Sequence, residues 1–136
     1  MLSPTLDTIR LFLHVLAATV WVGGQIVLAG LVPSLRRTSD GATKVAARAY
    51  ARVAWPAFVV LAVTGLWNIA EVDVADTTTE YQITLFVKIA LAVVSGAAAA
   101  VHQLGTSKAA LAVGGALGLL AALGAMFLGF VLRTGT

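Results

Sequence analysis

The chain has 136 residues, 60% of them hydrophobic and 11% charged, with a formal net charge of +3 and a mean hydropathy of +0.96. A water-soluble domain of this length could not hide that much apolar surface, so the composition excludes one and points to an integral membrane protein. Cysteine does not occur, which excludes a disulfide scaffold, thiolate metal sites, iron–sulfur clusters and thiol chemistry.

Crossing the hydrocarbon core of a bilayer takes roughly 20 apolar residues in a helix. Four stretches qualify, at about 6–33, 53–71, 83–104 and 109–132. They predict one all-α domain over residues 1–136, an antiparallel four-helix bundle embedded in the membrane. The first stretch is longer than a signal-peptide core and has no basic lead-in, so it reads as a span. Within it Arg10, His14, Ala18, Trp21 and Gln25 recur at steps of four, four, three and four, which places them near one helical face. An imidazole in hydrocarbon is costly, so His14 asks for a cofactor, a proton path or a buried hydrogen-bond partner. Trp21 on the same face suits core packing or stacking on a flat ligand. Gly23 and Gly24 permit close helix approach or make room for a ring.

The first connection carries Arg36, Arg37, Lys44, Arg48 and Arg52 against a single Asp40, whereas the second carries Glu71, Asp73, Asp76 and Glu80 with no basic residue. The positive-inside rule then predicts a cytoplasmic first connection, both chain ends outside, and a multi-pass protein of the plasma membrane. Membrane topology accounts for the basic balance, so no nucleic-acid partner is expected. Ser39 or Asp40 is placed to cap a helix that runs through Lys44, Arg48 and Arg52 into the second span. Further on lie Thr64, Trp67 and Asn68, and Trp55 and Trp67 read as interfacial anchors.

The third span repeats the pattern with Lys88, Ala92, Ser95, Ala99 and His102 on one face. Under this topology His14, Asn68 and Lys88 lie at similar depth. His102, fourteen positions beyond Lys88, sits about 21 Å deeper, so His14 and His102 are not expected to hold one iron within one subunit. The third connection, Gly105 to Lys108, is short enough for a helical hairpin. In the fourth span Ala110, Gly114, Gly118 and Ala122 recur every four positions, which seals the bundle or forms a homodimer seam.

His14 followed by Trp21-Val22-Gly23-Gly24, Arg52-Val53-Ala54 leading to Thr64-Gly65-Leu66, and Leu85-Phe86-Val87-Lys88-Ile89-Ala90-Leu91 together resemble the copper-resistance protein D family of membrane domains. The resemblance covers the first three spans. The same skeleton is similar to the small membrane-type protoporphyrinogen oxidases, four-helix bundles that bind b-type haem and carry polar residues matching His14, Lys88 and His102. What this implies is a haem b protein with a redox or electron-transfer role, a possible oxidoreductase, with a quinol, a porphyrinogen or a small oxidant as partner. His14 is then an axial iron ligand. Lys88 is a second ligand, a propionate partner or a cation that snorkels to the headgroups. Arg10, Trp21 and Asn68 complete the surroundings, Arg10 facing either a propionate or Asp7. His102 is hydrated, or serves a separate inner cofactor or one shared across a dimer. Copper handling or small-solute transport is the alternative reading, although only Met1 and Met126 supply soft sulfur ligands. A scaffold without chemistry is the third.

Overall fold

A computed structural model describes residues 1–135, and among them the regular structure is entirely helical. Helix α1 (Leu6–Ala18) continues through a π-helical turn, Thr19–Gly23, into α2 (Gly24–Thr38). Then follow α3 (Ala42–Ala70), a short 3₁₀ turn at Val74–Asp76, α4 (Thr79–Leu104) and α5 (Lys108–Thr134). Four continuous helical segments, Leu6–Thr38, Ala42–Ala70, Thr79–Leu104 and Lys108–Thr134, are long and apolar enough to cross a membrane. Their outward surfaces stay apolar, as the exposed Phe12, Val63, Phe86 and Phe127 illustrate.

Local chemistry starts these helices. Thr5 and Thr8 form a reciprocal capping box at α1, and Thr78 and Ser107 accept from the backbone amides of Tyr81 and Ala110 at the starts of α4 and α5. At α3 the structure corrects the expected cap. Gly41 occupies the N-cap position without a side-chain bond, and Ser39 ends α2 instead. Helix α3 also begins well before the apolar stretch, because the turns bearing Lys44 and Arg48 are already helical.

The chain forms two compact units, Met1–Asp73 and Val74–Thr136. In the first, α1 and α3 pass each other in opposite chain directions: Arg10 lies by Glu71, His14 by Thr64 and Trp21 by Phe58. Trp21, 3% exposed, is the centre of an aromatic cluster with Trp55 and Phe58, at centroid distances of 5.4 and 4.5 Å. Trp55 therefore also packs in this cluster.

The π-helical turn lies next to that cluster. Widening one turn disturbs the regular backbone pairing, and here side chains serve the disturbed carbonyls. The Trp21 carbonyl accepts from the Tyr50 hydroxyl and the Gln25 amide, each at 2.9 Å. Gly24 is the notch that admits Tyr50, since a Cβ there would lie 2.2 Å from the ring. Tyr50→Phe keeps the ring and removes the donor, so it should cost about 1 kcal/mol, as interhelical polar contacts in membranes do. The measurable sign is faster hydrogen exchange at the amides of residues 19–26.

In the second unit α4 and α5 also pass in opposite directions, and small residues let them approach closely. Ser95, 1% exposed, donates from Oγ to the Gly118 carbonyl at 2.9 Å. A Cβ on Gly114 would lie 2.9 Å from the Ala98 carbonyl oxygen and 2.9 Å from the His102 backbone nitrogen. Gly114, Gly118 and Ala122 of the four-residue repeat are buried, and the first two lie against α4 within the chain.

Candidate functional site

The first unit brings four of the sequence-predicted residues, Arg10, His14, Trp21 and Asn68, onto or beside the contact of α1 with α3. His14 is half-buried, and its Nδ1 lies 2.9 Å from Oγ1 of Thr64, which is 4% exposed. The Thr64 hydroxyl has one proton, and the 2.7 Å bond to the Val60 carbonyl takes it. In the Nδ1–H tautomer of His14, Thr64 accepts from the ring while it donates to the backbone of its own helix. A buried group that takes the Nδ1 hydrogen fixes the tautomer and orientation of a ligating histidine. Gly65 lies beside the ring, where a Cβ would come into contact with His14 Cε1 at 3.4 Å. Sequence reasoning named both Thr64 and His14 but missed that they meet, because their 50-residue separation leaves no periodic signal.

One helical turn towards the chain start, Arg10 is 9% exposed and is held by two carboxylates. Its Nη2 lies 3.1 Å from Asp7 Oδ1 and its Nη1 lies 3.7 Å from Glu71 Oε2. Trp67 completes the group, with its ring 6.0 Å from the guanidinium carbon and its indole nitrogen donating to Glu71 at 3.1 Å. The Asp7 partnership is as expected. Glu71 joins it from the end of α3, a role that its place among the acidic residues of the second connection did not reveal. Asn68 is half-buried, and its Oδ1 has no hydrogen-bond partner.

Lys88 and His102 lie in the second unit, both on the α4 face that packs on α5. Lys88 is half-buried beside Gly129, where a Cβ would come within 3.4 Å of Nζ. His102 is exposed, and its Nδ1–H donates to the Leu111 carbonyl. It thereby pins the α4–α5 hairpin. Among the described residues no three His, Asp or Glu side chains converge as a metal-ion cluster.

Comparison with known protein families, with curated proteins and with solved structures gives no match.

Proposed function

We propose that the chain is a four-helix membrane bundle of the plasma membrane, with both ends outside, that binds b-type haem through His14 and takes part in electron transfer. The observation that carries this reading is the His14–Thr64 hydrogen bond, by which a buried hydroxyl orients the ring. An intramembrane imidazole prepared in this way suits an iron ligand. The resemblance to the copper-resistance protein D domains and the membrane-type protoporphyrinogen oxidases points the same way.

The donor set fits the group. His14 would supply an imidazole nitrogen, and Gly65 places no side chain against its ring. Arg10 is already balanced by Asp7 and Glu71. When bound, haem supplies one-electron iron chemistry whose potential is set by ligand identity, hydrogen bonding and burial. Within the protein, the Thr64 hydroxyl orients the His14 ring.

Purified protein should show a Soret band and a b-type pyridine haemochrome. No haem after purification, together with no binding on haem addition, would refute the proposal. Thr64→Val, which keeps the shape and removes the acceptor, should weaken haem retention by about tenfold, as loss of an outer-shell partner commonly does. Thr64→Ser should restore it. Equal retention by all three proteins would show that the hydrogen bond does not orient a ligand.

A further inference from the structure

The polar level just beyond His14 contains hydrogen-bonding capacity that the protein does not use. Arg10 Nε and Nη1 are buried and donate no hydrogen bond, and Asn68 Oδ1 is buried and accepts none. Since α1 and α3 run in opposite directions with His14 at Thr64, one turn back along α1 and one turn forward along α3 bring Arg10 level with Asn68. The ion pair of Arg10 with Glu71, the C-cap residue of α3, lies at the same end of the helix contact. Burying such groups unsatisfied is costly, and most most such atoms in folded proteins find a partner.

Charge decides what that partner is. Arg10 is the one cation of the cluster and faces the carboxylates of Asp7 and Glu71, so a further anion would meet a surplus of negative charge. A second cation would meet the guanidinium. A neutral hydroxyl suits both sides, because its oxygen accepts from Arg10 while its hydrogen is donated to Asn68. Trp67, with its ring beside Arg10, gives the site an apolar wall. We infer that the Arg10–Asn68 level binds the hydroxyl head group of a neutral amphiphile dissolved in the membrane. A hydroquinone and an aliphatic alcohol are the two sources of that group. The inference concerns a site separate from the His14 imidazole and does not need haem.

The test uses the full chain in lipid nanodiscs, with empty discs measuring partition into lipid. The probes are a decyl-substituted benzohydroquinone, its dimethyl ether, 1-decanol and 4-decylbenzoate. Saturable binding above the empty discs is expected for the hydroquinone or the alcohol, and whichever binds identifies the source. The dimethyl ether, which cannot donate, should bind about tenfold more weakly, the loss of about one hydrogen bond. Asn68→Leu should lose affinity for the hydroxyl probe by a similar factor with its helical content unchanged. His14→Ala should bind that probe as the wild type does even where it has lost haem, which separates this inference from the haem reading. No saturable binding by either hydroxyl probe, equal binding of the ether, or tighter binding of the benzoate would overturn it. The ether comparison is made on the wild-type protein, so the inference stays testable if Asn68→Leu fails to fold.

Discussion

His14→Ala is expected to purify without a Soret band, its haem content below about a tenth of the wild-type value, which corresponds to at least 1.4 kcal/mol of lost binding energy. The reason is chemical: the substitution removes the one imidazole of the first unit, whose Nδ1 is held by Thr64. His102→Ala is the matched control. Its ring donates Nδ1–H to the Leu111 carbonyl from an exposed position on α4, so its loss should loosen the hairpin and leave haem content unchanged. Absorbance normalised to protein concentration checks both. Equal loss of haem from the two variants would mean that folding, rather than ligation, governs retention.

Gly114→Ala should be the most damaging of the single methyl additions along α5. The new Cβ would meet the Ala98 carbonyl at 2.9 Å and the backbone nitrogen and Cα of His102 at 2.9 and 3.1 Å. All three are backbone atoms, so no side chain can rotate away and α4 must separate from α5. Overpacking of this kind costs about 1–3 kcal/mol. Separation would also stretch the Ser95–Gly118 bond. Gly23→Ala provides the contrast: a Cβ there has nothing within 4 Å, so stability should stay within about 1 kcal/mol of the wild type. Thermal unfolding in detergent, followed by helical signal, distinguishes the two.

Much of the architecture was legible because lipid imposes simple demands. Apolar runs long enough to span a bilayer became the four long helices. The alternating steps of four and three through Lys88, Ala92, Ser95, Ala99 and His102 marked the face of α4 that meets α5. Small residues at Gly114 and Gly118 marked the reciprocal face. What the sequence hid depends on register between helices. Thr64 is an ordinary polar residue until α1 and α3 are aligned, and then it is the partner of His14. Trp55 reads as an interfacial anchor because an aromatic near a span end fits that role, and its packing against Trp21 and Phe58 becomes visible only once the helices are aligned. The π-helical turn was equally hidden. Its carbonyl partners Tyr50 and Gln25 come from different helices, and no short pattern joins them.

These particulars connect the fold to the proposed chemistry. The aromatic cluster and the Tyr50 notch hold α1 and α3 together on one side of His14, and the Arg10 cluster does so on the other. Between them the imidazole is fixed by one buried hydroxyl. In the proposed site a ring oriented in this way would lose little freedom on binding iron.

Rescue of His14→Gly by free imidazole is the most direct measurement of the central claim, that the His14 ring is the iron ligand. Wild-type protein should carry a Soret band insensitive to added imidazole. His14→Gly should lack it, and imidazole added with haem should restore it with a wild-type-like spectrum. A wild-type-like band in His14→Gly without imidazole, or a folded variant that imidazole and haem fail to restore, would contradict the account.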